Sequence, residues 1–190
     1  MRTHKIDAYP ERTVTASYRT AVFGAGREVC RQGADWYPNA HRVANRIASS
    51  AGIDTSAAAG IIAALSPRVA WEVNVRNARV FAHGGAVGYL GTQLRKADMI
   101  RSGVDPIDAL TGVKERAFYL SIVNPIASTV ACIDRHMLDA AYGDDAGKAA
   151  RWVDGVERCQ RATYSVASEV DRSVPETQAI IWIVQRGKAQ

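Results

Sequence analysis

The stretch LTGVKERAFYLSIVNPIASTVACIDRHM, residues 110–137, contains the features that decide the fold. It opens on a tight turn at Thr111-Gly112, continues through an apolar helical segment, and breaks at Asn124-Pro125. It then places a single acid, Asp134, directly after the apolar run 130–133. Glycine and proline end helices, whereas aspartate is a preferred N-cap. The stretch therefore predicts two helices separated by a break, with Asp134 at the start of the second.

Helical patterns continue through the rest of the chain. Caps and breaks divide it into about ten segments, with one interruption at Trp36-Tyr37-Pro38 and a cap at Asp54 or Thr55. The segments are 14–31, 39–50, 55–65, 71–83, 93–102, 106–110, 114–123, 134–142, 148–168 and 175–186. No β-hairpin signal, internal repeat or low-complexity tract accompanies them. The sequence thus predicts an all-α protein with short loops.

Composition excludes several classes of protein. The 190 residues, 47% apolar and 23% charged, are typical of one globular domain or of two small lobes. No apolar run approaches the ~20 residues that span a bilayer, and residues 1–13 lack the apolar core of a signal peptide. We therefore expect a cytoplasmic protein without a membrane partner.

Cys30, Cys132 and Cys159 form no Cys-x-x-Cys pair, which indicates reduced thiols and predicts no metal, iron–sulfur cluster or other cofactor.

The charge distribution suits a polyanionic partner. The net charge is +5, and residues 1–138 carry 17 Lys and Arg against 11 Asp and Glu, whereas residues 139–190 carry 7 against 8. Arg68, Arg76 and Arg79 are expected on one loop–helix surface, where they either contact phosphates or are simply solvated.

The turn Thr111-Gly112-Val113 offers one place for such a contact. A tight turn leaves backbone N–H groups unpaired at the start of the following helix, and the positive end of the helix dipole adds to their attraction for a phosphate. Lys114 and Arg116 add charge beside the turn. The alternative interpretation is an ordinary corner between two helices.

The hairpin and the acid together resemble the helix-hairpin-helix DNA glycosylase superfamily. The matching residues are Leu110, Gly112, Val113 and Arg116, followed by Asp134 and His136. Residues 61–66 and 94–100 are similar to the family's early helix and to the helix before its hairpin, so the resemblance covers about residues 60–142. It implies a two-lobed fold within a single domain, 1–190. A central lobe, 55–124, would contain the hairpin, and the second lobe would combine 1–54 with 125–190.

The resemblance also implies a function. Thr111, Gly112, Val113, Lys114 and Arg116 would hold the DNA backbone. The acid at position 134 would lie at the cleft between the lobes, where it stabilises the positive charge that develops on the sugar as a base leaves. Its alternative role is to cap the following helix, and both roles are compatible.

Two departures from the family pattern narrow the reaction. Lys114 stands where the family has its second glycine. Arg116 stands where strand-cutting members have a nucleophilic lysine, and an arginine cannot form a Schiff base. The expected reaction is therefore cleavage of an N-glycosidic bond without lyase activity, on a damaged or modified base.

Other residues are secondary candidates. Trp71, His136 and Trp36 would line the base pocket or act as a wedge, or else serve packing and hydrogen bonding alone. Arg68 is a candidate DNA contact, and Trp182 is expected in the core. Two alternative functions remain. The first is a helix-hairpin-helix DNA-binding module without catalysis. The second is an enzyme that hypermodifies bases, a reaction in which some relatives of the superfamily are implicated in phage DNA.

Overall fold

The computed structural model describes residues 9–88, 91–151 and 154–187. Every regular element in these ranges is helical and none is a strand, so the predicted all-α fold is confirmed. A short 3₁₀ helix, Gly143–Asp145, follows the eighth α-helix. The α-helices are Glu11–Phe23 (α1), Arg27–Ala51 (α2), Thr55–Ala64 (α3), Trp71–Ala82 (α4), Gly91–Arg101 (α5), Pro106–Ala109 (α6), Val113–Val123 (α7), Arg135–Tyr142 (α8), Ala146–Ala149 (α9), Gly155–Glu169 (α10) and Val174–Arg186 (α11).

Side-chain caps fix the starts of four described helices, namely α3, α6, α8 and α11. The Asp54 side chain accepts a hydrogen bond from the Ala57 N–H at the start of α3. Asp105 does the same at α6, with Pro106 in the first helical turn. An acceptor at the N-cap satisfies a backbone donor that has no partner inside the helix. These caps make the helix boundaries a local property of the sequence.

Helix α2 departs from the prediction. It runs without interruption over 25 residues, with Pro38 inside it, so the break expected at Trp36-Tyr37-Pro38 is wrong. The chain breaks earlier, between α1 and α2, where Gly24 and Gly26 lower the helix propensity. An internal proline costs a helix one hydrogen bond. Burial offsets that cost, since Tyr37 and Ala40 on either side of Pro38 are only 2% and 1% exposed.

The single helix predicted over 148–168 is also wrong. Helix α9 ends at Ala149, Arg151 lies in a turn, and α10 begins only at Gly155. The middle of the predicted helix, residues 152–153, lies outside the described residues. At the start of α10 the Tyr142 hydroxyl donates to the Gly155 carbonyl at 2.7 Å. This tertiary hydrogen bond holds the backbone of Gly155 at the start of α10, although glycine has a low helix propensity.

The chain forms two compact units. The terminal unit comprises Met1–Tyr37 and Ile126–Gln190, and the middle unit comprises Pro38–Pro125. Asp134 belongs to the terminal unit, whereas the hairpin turn belongs to the middle unit.

The core of the terminal unit holds α8 in place. Helix α8 packs against α1 and α11, and the buried Tyr18 hydroxyl donates to the Met137 carbonyl at 2.9 Å. Burial raises the pKa of Tyr18 well above its usual value. Burial also raises the pKa of the Cys159 thiol to about 11, so that this thiol is neutral at physiological pH. The helix that begins after Asp134 is therefore fixed by a buried apolar core.

Helix α3 is the centre of the middle unit. Its residues from Ala58 to Ala64 are all buried, and it packs against α4, α5, α6 and α7. Gly60 permits the close approach of α6, because a Cβ at this position would lie 2.9 Å from the Pro106 ring. The hairpin helices α6 and α7 are therefore supported by a single buried helix.

None of the described helices is by itself long and apolar enough to span a membrane. The bent pair α2 and α3 meets the criteria of length and composition only when the two are taken together.

Candidate functional site

Asp134 is the N-cap of α8, and both of its carboxylate oxygens accept hydrogen bonds. Oδ1 accepts from the backbone N–H groups of His136 and Met137 at 2.9 and 3.1 Å. Oδ2 accepts from the indole N–H of Trp182 at 3.0 Å. The side chain is half-buried. Three donors from two helices therefore hold this carboxylate in one orientation.

Trp182 is the centre of an aromatic group around that carboxylate. Its ring centroid lies 5.4 Å from that of Trp36, in a tilted arrangement, and 5.9 Å from that of His136, edge to face. The Arg186 guanidinium lies 4.8 Å from the Trp182 ring centroid, within the range of a cation–π contact. Trp36, His136 and Trp182 are all half-buried. Asp134, His136 and Trp36 are candidate site residues from the sequence. All three contact Trp182, which the sequence does not indicate as part of a site.

Trp182 itself corrects an expectation from the sequence. It packs against the core but is only partly buried, and its N–H serves Asp134 instead of lying in a fully apolar environment. The apolar run 179–184 that surrounds it on α11 hides this role. The one local signal is Arg186, four residues later on the same helix, since residues at this spacing share a face. The contact with Asp134 joins residues 48 positions apart, and no sequence pattern indicates it.

The hairpin of the middle unit has the predicted helix–turn–helix form. Gly112 is the N-cap of α7, with φ −84° and ψ 134°, a conformation open to any residue. Thr111 and Lys114 are exposed, and the Val113 side chain is 68% exposed. The turn therefore presents its first residues to solvent.

A buried ion pair lies under this turn. The Lys96 ammonium on α5 donates to Glu115 Oε2 at 2.5 Å, and each side chain is 11% exposed. A Cβ at Gly112 would lie 3.1 Å from that carboxylate oxygen. The absence of a side chain at Gly112 therefore makes room for Glu115. Gly112 has this packing role independently of any phosphate contact. The carboxylate also lies in the first turn of α7, where the helix dipole stabilises it.

The remaining hairpin candidates contribute side chains at the surface. The exposed Arg116 folds back and donates from Nε to the Leu110 carbonyl at 2.5 Å, which braces the turn. Arg68, exposed in the loop after α3, has φ +65°, a left-handed conformation that is uncommon outside glycine. Trp71 is half-buried at the first position of α4 and belongs to the middle unit. It is therefore not in the unit that contains Asp134.

Net positive charge is concentrated in the middle unit. Residues 38–125 carry 10 Lys and Arg against 6 Asp and Glu, a net charge of +4 out of +5. In this unit Lys96 forms an ion pair with Glu115, and Arg101 forms one with Asp98. In the terminal unit seven cations do so, namely Arg19, Arg31, Arg135, Lys148, Arg158, Arg161 and Arg172. The positive field of the molecule therefore comes from the unit that contains the hairpin.

A cavity of about 420 Å³ lies elsewhere in the middle unit. The cavity is lined by residues of α4, of α5 and of the segment between them, namely Phe81, Ala86, Val87, Leu94, Arg95 and Asp98. None of the candidate site residues predicted from the sequence is among them. Within the described ranges, no three His, Cys, Asp or Glu side chains are grouped as the ligands of a metal would be.

Comparison with known proteins assigns the chain to a family. No curated protein and no solved structure matches it. One family model matches residues 2–189, nearly the whole length of the chain. The protein belongs to that family, a family of unknown function designated DUF7178.

Proposed function

We propose that the protein binds DNA and releases a damaged or modified base by monofunctional cleavage of the N-glycosidic bond, assisted by Asp134. The observation that carries the proposal is the way in which this carboxylate is held. A group that stabilises a transition state must be oriented before the reaction, so that no energy is spent on ordering it. The two amide donors of α8 and the indole of Trp182 supply that order.

The hydrogen-bonding capacity of Asp134 leaves room for one more partner. A carboxylate has about four lone-pair sites. Oδ1 accepts two N–H groups and Oδ2 accepts one, so the fourth site is on Oδ2. This oxygen is the atom that would accept a proton from an attacking water or face the sugar carbon C1′.

The reaction is a hydrolysis. The electron pair of the C1′–N bond leaves with the base, which gains a proton, and the water oxygen bonds to C1′. One of the two water protons passes to Asp134 and from there to solvent, which supplies the proton that the base gains; the second water hydrogen stays on the new C1′ hydroxyl. Positive charge on the sugar rises as the bond breaks, and a nearby anion stabilises it. The nucleotide must be extruded from the duplex for this to occur, and aromatic side chains such as Trp36 and Trp182 offer a surface for a base outside the stack.

The hairpin supports the DNA-binding half of the proposal. Thr111, Val113 and Lys114 are exposed around the start of α7, and the dipole of this helix favours an anion there. The unit that contains them has most of the net positive charge. DNA is a polyanion whose binding is dominated by its phosphates.

The test is a panel of DNA duplexes, each with one damaged or modified base. We expect abasic sites to form on at least one duplex, without strand cleavage and without an adduct trapped by borohydride, because Arg116 cannot form a Schiff base. An adduct that survives Arg116→Ala would identify another amine as nucleophile and overturn the monofunctional assignment. Binding without base release from any duplex would overturn the catalytic assignment.

A DNA-binding module without catalysis is the second candidate. Asp134 is a complete N-cap and the partner of Trp182, and these roles account for its position without any reaction. DNA binding alone likewise accounts for the net positive charge of the middle unit, without any reaction.

A further inference from the structure

The exposed cations of the middle unit include two pairs on neighbouring turns of two helices. On α2, Arg42 and Arg46 are both exposed and lie four residues apart, so they share one face of the helix. Ser50 continues the same face one turn later. On α4, Arg76 and Arg79 are exposed and lie three residues apart, which also places them on one face.

The two faces meet at His83, which follows α4. Its Nε2 lies 3.0 Å from the Ser50 carbonyl oxygen, and its Nδ1 lies 2.8 Å from the Arg79 carbonyl oxygen. Both contacts are exposed to solvent. Ser50 lies one turn beyond Arg46, and His83 lies one turn beyond Arg79, so this contact brings together the ends of α2 and α4 that follow the two arginine pairs.

We propose that this arginine surface, made of Arg42, Arg46, Arg76 and Arg79, binds the phosphate backbone of DNA in addition to the hairpin turn. The proposal rests on the proposed function, since the partner is the same DNA. None of the four guanidinium groups forms an ion pair with a described acid, and Arg42 donates only to the neutral Asn39 side chain. The planar guanidinium fork binds phosphate through two parallel hydrogen bonds.

The neighbours of the surface favour nucleic acid over a membrane. The other exposed residues on this part of α2 are Asn39, Asn45 and Ser49, which suit hydrogen bonds to sugar and phosphate. A helix that enters a lipid surface needs bulky apolar residues beside its cations. One acid, Glu72, lies one turn before Arg76 and reduces the local charge without forming an ion pair with it among the described contacts.

The experiment measures binding of the full chain to a fluorescent DNA duplex by anisotropy over a series of salt concentrations. The variants are Arg42→Gln/Arg46→Gln, Arg76→Gln/Arg79→Gln, and the combination of all four. The matched control is Arg12→Gln/Arg27→Gln, which removes the same charge as one pair from exposed positions of the terminal unit. Circular dichroism confirms that each variant is folded.

Each lost phosphate contact lowers the slope of log affinity against log salt by about 0.9 on duplex DNA. We expect each arginine pair to lower the slope by about 1.8 and the four substitutions together by about 3.6, with the control unchanged. The wild-type slope must itself be at least about 3.6. A smaller wild-type slope would overturn the arginine surface even if a variant failed to fold.

The outcomes separate the two proposals. A wild-type protein that binds no DNA, or that binds anionic phosphatidylserine vesicles in its place, would overturn both. DNA binding with slopes unchanged in the arginine variants would overturn only the arginine surface. Normal DNA binding through these arginines without base release from any duplex would overturn only the catalytic half of the proposed function.

Discussion

At the scale of single residues, Asp134 combines a structural role with the proposed chemical one. It caps α8 through Oδ1 and holds the Trp182 indole through Oδ2. An asparagine has only one side-chain oxygen, so it can keep the cap or the indole bond but not both. The common assumption that aspartate and asparagine are equivalent N-caps therefore does not hold here.

We expect Asp134→Ala to lower the free energy of unfolding by about 1–2 kcal/mol, because it removes the cap and leaves the indole N–H without its partner. Trp182→Phe removes the indole donor alone. A double-mutant cycle between the two positions, measured by urea unfolding, should give a coupling of about 0.5–1.5 kcal/mol. A coupling near zero would show that the indole bond does not stabilise the carboxylate.

The sequence predicts the residues of this group better than it predicts their arrangement. Asp134 is indicated by capping and by the family resemblance, His136 is indicated by the resemblance, and Trp36 is a secondary candidate for the base pocket, with packing as its alternative role. Trp182 is not, because its position in an apolar run is typical of a core residue, and its partner lies 48 positions away. Local patterns do not encode contacts of this range.

At the scale of elements, the buried Lys96–Glu115 pair ties α5 to the first turn of the hairpin helix α7. A buried ion pair contributes little net stability, but the loss of one partner leaves an uncompensated charge in the interior. The geometry of the hairpin turn therefore depends on a lysine in another helix.

We expect Lys96→Met to destabilise the protein by about 3–5 kcal/mol. The double variant Lys96→Met/Glu115→Leu removes both charges and should recover most of that loss. Melting temperatures of the two variants give the comparison. A double variant at least as unstable as Lys96→Met would contradict this account of the pair.

The helix boundaries reveal which local signals are reliable. Side-chain caps such as Asp54, Asp105 and Asp134 begin helices where the sequence predicts. Pro38 does not end a helix, because the burial of Tyr37 and Ala40 outweighs the lost hydrogen bond. Conversely, α9 ends at Ala149 and α10 begins only at Gly155, although the sequence pattern predicts a single helix over 148–168. Tertiary packing decides these two cases, and propensity alone does not contain it.

At the scale of the whole molecule, the two units differ in charge and in the use of that charge. Seven cations of the terminal unit form ion pairs and the net charge of this unit is only +1, whereas the middle unit has a net charge of +4. The sequence indicates the excess in residues 1–138, but the ion pairs that cancel part of it form only in the fold. The proposal therefore assigns DNA binding chiefly to one unit and the reactive carboxylate to the other.

The most direct test of the central claim is the turnover of Asp134→Asn on the best DNA substrate, compared with that of Trp182→Phe. Trp182→Phe loses the indole bond alone, whereas Asp134→Asn loses the negative charge and cannot keep both the cap and the indole bond. If the carboxylate stabilises the developing sugar cation, turnover of Asp134→Asn falls by about 10²-fold or more, while Trp182→Phe stays within about tenfold of wild type. DNA affinity should be retained in both. Full turnover of Asp134→Asn, or an equal loss in the two variants, would contradict the claim that the charge of Asp134 drives the reaction.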